Sequence, residues 1–297
     1  MSERFDELDR SALLALITFE IADHGDRVNF RNRTLAEALD ALEEQDNARM
    51  HYIRTVRAAI ANDETIGEIR ILGTSHGSYV GSSPMAAVSF LCLNTPSETG
   101  DGTVVEASYI MYRGTPGGGW VQNPISYGAL IGNLLAEDNI SSTMQRDGLD
   151  FFNEVIKDIP DSRRVIVGGH SQGANLAEYV TMHEDRVVRC YSFDVPGHSF
   201  ALRDRLIDLF GIEAFVERSG KINAINGSED FVNVQGEVHL AHEENRHHIV
   251  KELKGWYDVP GMHDMIGMFD EDGRLRPHEN VRQGVVGTTM TDIVSTI

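Results

Sequence analysis

Apolar positions along the chain follow two periods. Residues 7–23 carry Leu8, Leu13, Leu14, Leu16, Ile17 and Ile21 at roughly helical spacing, which predicts a helix. Residues 34–61 repeat the spacing through Leu35, Ala38, Leu42, Met50, Ile53, Val56 and Ile60, with Thr34 able to cap and acidic residues opposite the first half. Between 67 and 113 the pattern turns β-like, in runs at 67–72, 85–93 and 104–113. The segment Pro96 to Gly102 joins the last two as a hairpin. Residues 141–159 predict an amphipathic helix with Ser141 as candidate cap, Met144, Gly148, Phe152, Val155 and Ile159 on one face, and Pro160 as its stop. From there β-branched runs alternate with helical ones: strand 165–169, helix to about His183, strand 187–193, helix 200–210 ending at Gly211, strand 221–226. That alternation predicts an α/β fold: a mostly parallel central sheet, an antiparallel hairpin at its start and helices on both faces.

Composition narrows the class. The 297 residues suit one large domain, divided into N-terminal helices at 1–62, a core at 65–270 and a C-terminal segment at 278–297. With 26 basic and 46 acidic residues the net charge is −20, which argues against nucleic acid and anionic membranes as partners but leaves a neutral lipid open. Cys92 and Cys190 lie in apolar runs and read as buried, reduced thiols. The polar N-terminus resembles no signal peptide and no apolar run reaches 18 residues, so a soluble cytoplasmic protein is expected. No oligomeric state is implied.

The candidate chemistry centres on Gly169-His170-Ser171-Gln172-Gly173, a G-x-S-x-G pattern between an apolar run and a helix. Strand, sharp turn and helix with a serine at the apex form the nucleophile elbow of an α/β-hydrolase. The neighbours two residues away must be small so that the turn can close. Gly73-Thr74-Ser75-His76-Gly77 matches the same pattern, but loop-forming residues follow it in place of a helix. Ser171 therefore passes the context test and Ser75 fails it.

A second stretch adds a resemblance. An apolar strand runs into Arg113-Gly114-Thr115, with Trp120 a few residues on. This resembles the oxyanion loop of class 3 lipases, and Phe193-Asp194-Val195-Pro196-Gly197 after the elbow helix resembles bacterial lipase-like relatives associated with mobile elements. The resemblance spans roughly residues 65–270 and implies that Thr115 and the backbone N–H of Gln172 hold the oxyanion. Residues 123–140 read as an ordinary packed helix, with a mobile lid, which class 3 lipases carry in about this position, as the alternative. The run Gly117-Gly118-Gly119 lacks the pattern of a phosphate loop.

An α/β-hydrolase takes its triad in the order serine, acid, histidine. Asp230 lies in the loop after strand 221–226 and is the first candidate acid, with Asp194 second. The histidines after Asp230 are His239, His242, His247, His248, His263 and His278. His263 is favoured because the resemblance places the catalytic histidine in a late loop, and the 239–248 group stays open. His242-Glu243 invites a zinc reading, but H-E-x-x-H would need histidine where Arg246 stands. Residues 269–275 read as a turn, His170 is expected to pack away from the substrate, and no cofactor or metal is expected. The expected function is hydrolysis of a carboxylic ester, small-molecule or lipid, through Ser171, Asp230 and His263. A binding module with an incomplete triad, or a thioesterase or serine peptidase, remains the alternative.

Overall fold

A computed structural model describes residues 4–75, 85–96, 104–115, 142–230, 232–233, 235–251 and 263–279. The hairpin turn at 97–102, the helix or lid at 123–140, Trp120, Gly77 and the C-terminal segment from 280 lie outside these described residues.

Four helices come first: α1 (Glu7–His24), α2 (Leu35–Glu43), α3 (Met50–Asn62) and the single turn α4 (Glu64–Gly67). The 34–61 period is thus two helices. Asp46 and Asn47 fall in the break, where their side chains favour turn over helix. Thr34 caps α2 in a reciprocal box with Glu37. Helix α1 is buried nearly all round, because it lies between the sheet and α2 and α3. Arg10 on α1 is fully buried, and Asp63, Thr65 and the Phe5 carbonyl satisfy it.

The strands are β1 (Arg70–Ser75), β2 (Ala87–Pro96), β3 (Val104–Tyr112), β4 (Arg164–His170), β5 (Val187–Phe193), β6 (Ile222–Gly227), β7 (Arg246–Ile249) and β8 (His278–Glu279). They form one eight-stranded sheet in chain order. β1, β2 and β3 pair antiparallel, β3 to β7 run parallel, and β8 returns antiparallel. The expected 67–72 run starts at Arg70 instead, because Asp63 caps the α4 turn in front of it.

Crossovers in one direction and of one hand place their helices on one side. Accordingly α5 (Thr143–Val155), α6 (Gln172–His183) and α7 (Phe200–Phe210) share one core with Val165, Val167 and Ala224. The N-terminal helices cover the other face, over Tyr109, Ile166 and Ile225. Neighbouring strand residues enter opposite cores, as the two-residue period demands. The topology is that of an α/β-hydrolase fold with helices on both faces.

Other elements differ from expectation as well. Ser142, not Ser141, caps α5. Gly211, at φ 84°, ends α7 and also opens an additional helix, α8 (Ile212–Ser219). Residues 246–249 form a parallel strand that the histidine-rich sequence does not signal. Both cysteines are buried and free. Among the described residues no helix is long and apolar enough to cross a membrane.

Candidate active site

The carboxyl ends of the parallel strands supply the site, as in open α/β sheets generally. Ser171 follows β4 with φ 57° and ψ −126°, a left-handed conformation that costs a non-glycine residue energy. Its N–H donates to the Phe193 carbonyl at 2.8 Å. α6 begins at the next residue, so the turn is as sharp as the elbow requires. The flanking glycines allow it. A Cβ on Gly173 would sit 2.1 Å from the Tyr112 carbonyl oxygen, and one on Gly169 2.5 Å from the same atom.

Ser171 Oγ lies 2.7 Å from His263 Nε2, and His263 Nδ1 lies 2.7 Å from Asp230 Oδ2. The structure therefore brings together the serine, acid and histidine singled out in the sequence. Asp230 is fully buried, and its other oxygen, Oδ1, accepts the Val232 N–H. Burial and the nearby Asp194 charge raise the Asp230 pKa. Burial pushes His263 down, but the facing Asp230 carboxylate outweighs it and the net shift is upward.

The Arg113-Gly114-Thr115 segment presses on the turn at Ser171. A Cβ on Gly114 would lie 2.6 Å from the His170 carbonyl and 3.3 Å from Ser171 Cβ. Arg113 anchors the loop: its guanidinium donates to Asp23 on α1, which also takes Arg49 at 3.0 Å. Thr115 Oγ1 is buried without a hydrogen-bond partner among the described residues. Gln172 is the first residue of α6, so no intrahelical carbonyl can accept its N–H. Its side chain turns away to Met144 Sδ.

Other candidates fall elsewhere. Ser75 ends β1, and its hydroxyl accepts the Ala87 N–H at 2.6 Å within the ladder. The runner-up acid, Asp194, is placed differently from Asp230, which faces His263 Nδ1. It sits at φ 48° beside the elbow, fully buried, where it accepts the Gly227 N–H at 2.6 Å and pairs with Lys251 Nζ at 2.6 Å. Burial opposes its ionisation, yet Lys251 and His170 hold it below the usual carboxylate range. His170 lies beside His263. Its ring is 4.8 Å from that of His263, and its Nε2 is 3.3 Å from Asp194. Burial lowers its pKa. His247 and His248 lie on β7, and His242 pairs with Glu244.

His170, Asp194 and His263 place one ligand atom each within 4.8 Å of one another. The His263 nitrogens already face Ser171 and Asp230, and the Lys251 ammonium sits on Asp194. A cation there would have to displace the lysine, so the group reads as a hydrogen-bonded cluster.

Residues 105–222 match the model of a family described as Mbeg1-like. The match takes in Thr115 and Ser171 and stops short of Asp230 and His263. No curated protein matches the chain. Among solved structures, M37 lipase is 11% identical over 77% of this chain and 70% of that one, with a TM-score of 0.39. A Rhizomucor miehei lipase in complex with its propeptide is 14% identical over 75% of this chain and 79% of that one, with a TM-score of 0.33. The fold assignment rests on the chain's own sheet.

Proposed function

We propose that the protein is a serine hydrolase of the class 3 lipase branch, cleaving a carboxylic ester through an acyl-enzyme. The observation that carries this reading is the continuous chain from Ser171 Oγ through His263 to Asp230, with both bonds at 2.7 Å. Such an arrangement activates a hydroxyl that is otherwise a weak nucleophile. Ser171 Oγ attacks the substrate carbonyl carbon while its proton passes to His263 Nε2. Asp230 holds the tautomer with its proton on Nδ1 and stabilises the imidazolium. The carbonyl electron pair moves onto oxygen, where the Gln172 N–H and Thr115 meet it. Collapse breaks the bond to the leaving alkoxide, which takes the proton from His263. Water, deprotonated by His263, then releases the acyl group and restores Ser171.

The Mbeg1-like match over the elbow and oxyanion strand and the Arg113-Gly114-Thr115 resemblance support an ester, small or lipid, as substrate. Matched ester, thioester and amide substrates with one acyl group provide the test. Ester turnover with a pre-steady-state burst is expected. Turnover of the thioester or amide alone would move the protein to the thioesterase or peptidase reading, and a folded protein that turns over none would overturn the proposal.

A further inference from the structure

Lys251, just beyond the end of β7 at Ile249, is the part of this centre that no motif announces. Its side chain is fully buried, with Nζ 2.6 Å from Asp194 Oδ2 and 3.8 Å from Asp230 Oδ2. A lysine is almost never fully buried unless paired, and this one faces two carboxylates. The route to that position is built into the fold. A Cβ on Gly227, at the end of β6, would lie 2.5 Å from Lys251 Cε, and one on Gly267 would lie 3.3 Å from Lys251 Cβ. The lysine passes between two residues that have no side chain.

The surrounding charges give that placement a consequence. Asp230 and Asp194 are both fully buried on neighbouring strand ends. Like charges sharing a buried site suppress each other's ionisation. His170 reaches Asp194 from β4, His263 reaches Asp230 from the late loop, and His248 on β7 feels the Asp194 charge. All three are titratable imidazoles. Among the described residues, Lys251 is the cation that contacts both acids.

We propose that Lys251 is a positioning residue whose ammonium, wedged between Asp194 and Asp230, holds the triad carboxylate as an anion facing His263. The proposal rests on the triad reading above. With Lys251 present and the three imidazoles neutral, the cluster of two aspartates and one lysine carries a single net negative charge. The imidazolium formed during catalysis then cancels it. Without the ammonium two uncompensated anions share the site, and the cluster takes up a proton at higher pH. That proton sits on His263, where it blocks the base, so the active form retreats to higher pH.

The test uses the full chain as Lys251→Met, Asp194→Asn and the double variant, with the His263 ring titrated by nuclear magnetic resonance and identified by its loss in His263→Gln. An opposite charge within about 4–6 Å shifts a titration by about one to three units. Lys251→Met is expected to raise the His263 midpoint by about one unit or more, and Asp194→Asn to lower it. The double variant, which leaves no lone buried charge from this pair, should return it to within about half a unit of wild type. If the single lysine variant does not fold, the lysine effect is read as the step from Asp194→Asn to the double variant. The acid limb of fluorophosphonate labelling should follow the same shifts, which a purely structural lysine would not move. An unmoved midpoint, or shifts of one sign in both single variants, would overturn the proposal. A His263 midpoint that obeys these signs in a protein unreactive to the probe would instead count against the hydrolase reading alone.

Discussion

Asp230→Asn is the most informative change to the triad, because the structure dictates how the new amide must sit. Asp230 Oδ1 accepts the Val232 N–H, while Oδ2 faces His263 Nδ1 at 2.7 Å. The asparagine keeps its carbonyl on the Val232 N–H, so its NH₂ points at His263. A donor there forces Nδ1 to become the acceptor, and the ring proton moves to Nε2, which faces Ser171 Oγ. In that tautomer the ring cannot take the serine proton. Flipping the amide would expose the buried Val232 N–H to another donor, at a cost of about 1–3 kcal/mol. The charge-assisted bond that stabilises the imidazolium is lost as well, and such bonds are about twice as strong as neutral ones. Together these costs reach about 4–5 kcal/mol, or about 10³–10⁴-fold in rate. The assay is kcat/KM on a soluble ester beside the rate of fluorophosphonate labelling, with thermal melting as the control for folding. A folded Asp230→Asn enzyme within about tenfold of wild type would refute the assignment of Asp230 and the tautomer argument together.

Three further outcomes follow from the same geometry. His263 must be neutral to act as base, and Asp230 holds its pKa above the ordinary 6.5, so kcat/KM should fall on acidification through a midpoint above 6.5. The sign for stability is opposite: a raised folded pKa favours the protonated fold below about 6.5 and loses that contribution as pH rises through the folded value. A pH–rate profile with its limb below about 6.5 would contradict this. Thr115→Val removes the unpartnered buried hydroxyl, and about a 10²-fold loss in kcat is expected with little change in melting temperature; an unchanged kcat would confine any role of Thr115 to its backbone. Gly173→Ala drives a methyl into the Tyr112 carbonyl, so a loss of about 3 kcal/mol in denaturant unfolding is expected, together with loss of labelling. Wild-type stability in the Gly173→Ala protein would show that the elbow is looser than described.

The parts of this site that sequence reveals are local ones. Two glycines around a serine, between a β-branched run and a helix, specify the elbow because its sterics involve neighbours in the chain. Asp230 is legible because it follows a recognisable strand, and His263 through chain order and resemblance. What stays hidden depends on contacts between distant segments. Lys251 is a single lysine after a strand whose residues, Arg246, His247 and His248, look like solvated surface. Its meaning appears only when β6 and β7 pair and bring Gly227 beside it. The packing of His170 against His263 joins residues far apart in the chain. Its signal is faint: a histidine inside the elbow, on a strand bearing small residues, has to go somewhere. Asp194 draws attention through its Gly/Pro turn, but only the placement of His263 Nδ1 on Asp230 separates the two acids. Helix α8 is not legible because the glycine that ends α7 also starts it.

The central claim is that Ser171 is an activated nucleophile, and covalent labelling by a fluorophosphonate tests it most directly. Wild type, Ser171→Ala and Ser75→Ala should each be shown folded by melting, treated with the probe and digested to locate the adduct. The account predicts labelling of wild type and Ser75→Ala on Ser171, and none of Ser171→Ala. A folded wild type that stays unlabelled, or an adduct that persists in Ser171→Ala, would contradict it.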